Sequence, residues 1–180
     1  HRRDIEEAYL AAIATARDNI LLANAYFLPG RRFRRALYRA ARRGVRVVIL
    51  LQGQVEYRLL HYATQALYGR MLSAGIRIFE YRRGFLHAKV AVIDRYWATV
   101  GSSNIDPFSL LLAREANIVV VDRAFAENLR GSLGQAMRDG AQELGADCWQ
   151  RLPWHSRLLR WASYSLIRMF VGLVGYGARH

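Results

Sequence analysis

Cysteine is nearly absent from this chain of 180 residues: Cys148 stands alone, which excludes an intrachain disulfide framework and suits a reducing compartment. Acidic residues are scarce as well, 14 against 27 basic ones, and the formal net charge is +13. That balance favours anionic partners, meaning membranes, lipid headgroups or nucleic acid, without choosing among them. No Cys/His cluster has zinc spacing and no loop gathers carboxylates for calcium, so neither a metal nor another cofactor is expected. The uncharged run Met169–Ala178 is well short of the ~20 apolar residues that a membrane-spanning helix needs. No secretory apolar stretch follows His1, which is not a natural initiator, so a processed or partial chain is expected.

Lysine is the scarcest charged residue. The chain has 26 arginines and one lysine, Lys89. A compact ammonium meets one oxygen of a crowded phosphoryl group as a point charge, whereas a planar guanidinium needs width.

What is present, at 53% hydrophobic residues, is enough to bury one sizeable core. Ile5, Ala8, Tyr9, Ala12, Ile13 and Ala16 recur at helical spacing, with Asp4, Glu6 and Glu7 in the first turn. Ile20–Tyr26 reads as a buried strand, broken by Pro29-Gly30. Helical periodicity resumes over Arg31–Arg43 and closes at Gly44. Val45–Leu51 is a second buried strand, 57–74 a helix ended by Gly75, and Ile76–Tyr81 a third strand. Lys89–Ile93, Trp97–Val100 and Glu115–Val121 are further strands, followed by a helix over 123–137. The alternation predicts an α/β sandwich with a mixed sheet and no internal repeat.

The chemistry concentrates between His87 and Asn104. His87 and Lys89 sit two apart on an apparent strand, so both point to one face. Asp94 follows the strand, and Gly101-Ser102-Ser103-Asn104 follows the next one. An imidazole exchanges protons near neutral pH, an ammonium and an amide grip phosphoryl oxygens, and a hydroxyl adds a donor or shapes a turn.

The pattern H-x-K-x(4)-D-x(6)-G-S-x-N, carried by His87, Lys89, Asp94, Gly101, Ser102 and Asn104, resembles the signature of the phospholipase D superfamily. The flanking stretches Asn24–Gly30, Ala98–Pro107 and Arg114–Val120 look like the C-terminal half of the bacterial cardiolipin synthases, most like the B type. The resemblance implies a phospholipase D-like αβα sandwich, one half of a pseudo-twofold bilobal enzyme. It implies transfer of a phosphatidyl group to phosphatidylglycerol through a phosphohistidine, with His87, Lys89, Asp94 and Glu115 catalytic and Lys89, Ser102 and Asn104 on the phosphate. Glu115, which lies 115 − 87 = 28 residues after the histidine, matches the downstream acid that holds the imidazole in such enzymes. Asp94 has a second reading, as a structural cap of its turn.

No second lysine exists to complete another copy of the motif, so the chain carries half a site. Its complement is either a missing N-terminal half or a second identical chain, as in single-motif endonucleases of the superfamily. Anionic phospholipids and the membrane surface are the expected partners, with nucleic acid the weaker alternative. The expected location is peripheral, on the cytoplasmic face of the cell membrane. A membrane-binding half-module, inactive alone, is the remaining alternative.

Two basic regions bear on that location. Arg31, Arg32, Arg34, Arg35, Arg39, Arg42 and Arg43 lie on one helix, as a solvated face or a membrane-facing patch. Beyond a catalytic half-domain of residues 1–147, residues 148–180 are rich in Trp and Arg. There Arg157, Arg160 and Arg168 fall within about an 80° arc of one helix. An amphipathic helix lying in the bilayer interface is the first expectation for this segment, and a helix docked on the core is the second.

Overall fold

The computed structural model describes residues 3–111, 113–145 and 153–177. Cys148, Trp149 and Arg151 lie outside the described residues.

Seven strands form one mixed sheet in the order β6-β5-β4-β1-β2-β3-β7. Helix α1 (Asp4–Thr15) opens on three acidic residues, which favour its positive N-terminal end, and buries Tyr9, Ala12 and Ile13. Strand β1 (Asn19–Asn24) is buried along its whole length, as an unbroken apolar run requires of a central strand. Helix α2 (Arg31–Arg42) leads to β2 (Arg46–Gln52) through Gly44, whose φ of +88° is the left-handed turn that ends the helix. Helix α3 (Arg58–Ser73) and β3 (Arg77–Tyr81) repeat the move, so β1, β2 and β3 run parallel. The hairpin of β4 (Lys89–Ile93) and β5 (Trp97–Gly101) then adds antiparallel strands on the other side of β1.

Helix α4 (Pro107–Leu111) and β6 (Asn117–Val121) follow. Helix α5 (Arg123–Gly140) is capped by the Asp122 carboxylate, which accepts from the Phe125 amide at 2.7 Å. Then come β7 (Ala141–Glu143), which pairs antiparallel with β3, and α6 (Trp154–Gly177). Strand β6 starts two residues later than its sequence suggests. The backbone before it bonds Ser102 instead, Ala116 O accepting from the Ser102 amide and the Ala116 amide donating to Ser102 Oγ.

Side chains alternate across β1. Ile20 and Leu22 join a core under α1, α2, α3 and α6, while Leu21 and Ala23 join one under α5. The result is three layers with helices on both faces. Strand β6 closes one edge with Ile118, Val119 and Val121 exposed.

Helix α6 is docked. Ile167 is buried in the same apolar cluster as Ile13 and Leu22, with Tyr164 and Val171 packed against it. Phe108 of α4 meets Phe170 at 6.4 Å between ring centroids. Arg160 therefore does not share an outward stripe with Arg157 and Arg168: it turns inward and donates to Gln65 Oε1 at 2.9 Å. The α2 arginines also divide. Arg32 pairs with Glu7, Arg34 lies over the Tyr164 ring, and Arg43 donates to the Ile13 carbonyl at the end of α1. No helix among the described residues is long and apolar enough to cross a membrane.

Candidate active site

The candidate residues meet at one end of the sheet, where β1 and β2 finish, β4 begins and β5 runs into its loop. Lys89, the first residue of β4, pairs with Asn24, the last of β1. His87 precedes it on an extended, exposed segment. The Lys89 ammonium donates to the His87 carbonyl at 3.1 Å, and the residue is only 8% exposed. Burial lowers its pKa, while the carboxylates of Glu115, Glu56 and Asp106 oppose that shift. Three acids thus act on the one ammonium.

The loop after β5 is clamped onto the end of β1. Asn24, fully buried, accepts from the Ile105 amide at 3.0 Å, and the Leu28 amide donates to the Ile105 carbonyl at 2.8 Å. Asn104 accepts from the Tyr26 amide at 3.1 Å through its Oδ1. Its carbonyl oxygen is thereby used, and what it offers a phosphoryl oxygen is its NH2. Gly101 is required by close approach: a Cβ there would collide with the Asn117 side chain and the Ala116 carbonyl. Asp106 caps α4, accepting from the Phe108 and Ser109 amides and from Ser109 Oγ, and burial raises its pKa.

Glu115 is beside Lys89, but its carboxylate is taken by the Ser102 hydroxyl. Among the described residues no carboxylate hydrogen-bonds the imidazole of His87. The expected bond from Glu115 to His87 is absent because Ser102 Oγ donates to Glu115 while accepting from the Ala116 amide.

Asp94 stands apart from these groups, just past the far end of β4. Its carboxylate accepts from the amides of Arg17 at 3.1 Å, Asp18 at 2.8 Å and Asn19 at 3.1 Å, and its own φ is +54°. This geometry is that of the turn cap, the second of its two sequence readings.

Three residues at the site received no chemical role from the sequence. Tyr26 stands edge-on to His87, with ring centroids 6.5 Å apart, and donates its hydroxyl to Glu56. Burial, then that carboxylate, raises the pKa of the Tyr26 phenol. Tyr26 and Asp106 lie inside stretches that carry the superfamily resemblance, yet nothing in their spacing marks them as part of the site. Glu56, in the loop after β2, has no local signal at all. Among the described residues no group of His, Cys, Asp and Glu side chains is arranged to hold a metal ion.

Lys89, Asn104 and the exposed His87 bring to this end of the sheet an ammonium, an amide and an imidazole, groups of the kind that bind a tetrahedral anion. Residues 9–137 match the family described as cardiolipin synthase, PLD-like domain. Cardiolipin synthase B of Escherichia coli strain K12 is 41% identical over 180 residues, all of this chain and 44% of that protein. The chain therefore spans less than half the length of this relative. Among solved structures, the phospholipase D family member Nuc from Salmonella typhimurium aligns with a TM-score of 0.67 at 20% identity, covering 77% of this chain and 90% of that one. Phosphatidylserine synthase of Haemophilus influenzae aligns with a TM-score of 0.71 at 14% identity, covering 96% of this chain and 44% of that one. At these identities the two structures speak for the fold alone.

Proposed function

This chain belongs to the cardiolipin synthase, PLD-like domain family, and on that premise we propose that it is one half of a phosphatidyltransferase that makes cardiolipin. The observation that carries the proposal is the buried Lys89 ammonium, bonded to the His87 carbonyl and acted on by the carboxylates of Glu115, Glu56 and Asp106. Lys89 and the Asn104 amide grip the phosphoryl oxygens, and the Ser102 hydroxyl, held by Glu115, shapes the loop between them. Asp94 holds the opposite turn and has no contact with substrate.

One imidazole cannot be nucleophile and opposing acid at once. A histidine of a complementary half attacks phosphorus and forms a P–N bond. The P–O bond to the leaving alcohol breaks, and His87 gives that oxygen its proton. The hydroxyl of phosphatidylglycerol then attacks, its proton passes to the now neutral His87, the new P–O bond forms and the P–N bond breaks. The exposure of His87 supports this reading, since its imidazole is open to a second half.

The enzyme acts as a peripheral protein on the cytoplasmic face of the cell membrane. Support comes from the outer face of α6, where Trp154, Leu158, Leu166, Met169 and Phe170 are exposed, Trp154 by 75%.

The test is to quench the full-length protein during turnover on labelled phosphatidylglycerol and map the phosphohistidine. Label on a histidine outside these 180 residues is expected, and label on His87 would overturn the division of roles.

A further inference from the structure

Beside the site, between the ends of β1 and β2 and the start of α3, lies a cavity of about 30 Å3, room for roughly two water-sized groups. Its polar lining includes Tyr26, Gln52, Glu56, Tyr57, His61 and Thr64. In a chain with 26 arginines, no arginine or lysine lines it, and its one charge is the Glu56 carboxylate. No cation of the lining is there to pair with a phosphate or sulfate, and Arg160 and Arg82 act on His61 only from outside it. Gln52, 8% exposed, has a buried amide oxygen with no hydrogen-bond partner among the described residues. An unpaired buried acceptor of this kind calls for a donor from outside.

The protonation of His61 follows from its neighbours. Arg160 of α6 donates to Gln65 Oε1 at 2.9 Å, so the Gln65 amide nitrogen is the group that meets His61 Nε2 at 2.8 Å. An amide nitrogen only donates. Nε2 therefore accepts, and the neutral ring carries its proton on Nδ1. Burial, the first cause of the lowered His61 pKa, favours the same neutral form. The lining thus offers the neutral His61 ring, the unpaired oxygen of Gln52, and the Glu56 carboxylate, one oxygen of which already accepts from the Tyr26 hydroxyl.

From this neutral-to-acidic, hydrogen-bonding lining we infer that the cavity is the subsite for the uncharged, hydroxyl-bearing end of the alcohol that accepts the phosphatidyl group. The inference rests on the proposed transferase reading. The cavity shares Tyr26 with the reacting centre, where that ring is edge-on to His87, and its Glu56 acts on both Tyr26 and Lys89. The secondary hydroxyl seated between Gln52, Glu56 and His61 leaves the neighbouring terminal hydroxyl to attack the phosphorus. Glu56 and Gln52 bind and orient the acceptor, while the proton of the attacking hydroxyl goes to His87. Water lacks a second hydroxyl to anchor, which is how the subsite favours transfer over hydrolysis.

Two measurements test this. In the full-length protein, the ratio of alcohol product to phosphatidic acid is followed with propane-1,2-diol as acceptor. The ratio falls about tenfold in Gln52→Leu and Glu56→Gln, as the loss of one hydrogen bond predicts. Loss of both products in proportion, or an unchanged ratio, overturns the subsite. In the 180-residue chain itself, the His61 ring resonances shift saturably with propane-1,2-diol and lose that response in Gln52→Leu or, should that variant not fold, in Glu56→Gln. A shift without any transferase activity of the full-length protein overturns the function and keeps the polyol site. No shift, or a stronger response to ethylammonium, overturns the polyol site whatever the activity.

Discussion

The side-chain nitrogen of Lys89 bonds the backbone oxygen of His87 at 3.1 Å, so the ammonium fixes the segment that carries the imidazole as well as facing the phosphate position. A guanidinium at position 89 keeps the charge and loses the fit. Lys89→Arg should lower turnover of the full-length enzyme by at least about a hundredfold, on the scale of losing one positioned charge in a site. Fold and lipid binding are retained, as read by circular dichroism and vesicle sedimentation.

The same burial sets a pH limit. The Lys89 ammonium titrates below the ordinary lysine value of 10.5, and the reaction needs its charged form. Activity should therefore fall on the alkaline side at a pH below that value. The pH profile of kcat/KM checks this, and any residual activity of Lys89→Arg should lack the limb.

Asp94→Ala removes an acceptor from the amides of Arg17, Asp18 and Asn19 at once. Stability to urea should drop by about 1–3 kcal/mol, while activity per folded molecule is kept. Asp94→Asn should lose less, because asparagine tolerates the left-handed backbone and keeps one oxygen. A fall in activity beyond the fall in folded protein would return Asp94 to the chemistry.

At Gly101 the added methyl of alanine meets Asn117 and the Ala116 carbonyl, the backbone that positions Ser102. Gly101→Ala should abolish activity with a stability loss of about 1–3 kcal/mol from overpacking, seen as a lower Tm. An active Gly101→Ala would show that the loop adjusts freely.

Helix α6 separates two effects. Deleting residues 153–180 uncovers the core around Ile167 and should lower the Tm or prevent folding. Trp154→Glu with Leu158→Glu alters only exposed positions, so it should leave the Tm within a few degrees and weaken binding to anionic vesicles. Unchanged vesicle binding would remove α6 from the membrane face.

How much of this was legible follows the range of the interactions. The alternation of apolar runs with helical spacing placed β1, β2, β3 and the helices between them, because each buries a periodic face. The H-x-K and G-S-x-N positions were visible because the hairpin of β4 and β5 joins them within one local stretch. Glu56 and Tyr26 were not, since they reach the site only when β1 and β2 end side by side. The two readings of the C-terminal helix differed in which face is buried, and that depends on α3 and α4, far away in the chain. The Glu115 bond went to Ser102 through competition between two nearby acceptors and donors, which spacing does not resolve.

Among the described residues nothing pairs with the outer edge of strand β6, which leaves a row of backbone donors and acceptors flanked by exposed Ile118, Val119 and Val121. Such a margin is a template for another strand. A preparation of this chain alone should consequently grow stickier with concentration, and Ile118→Lys should improve its solubility while leaving the centre of the sheet intact.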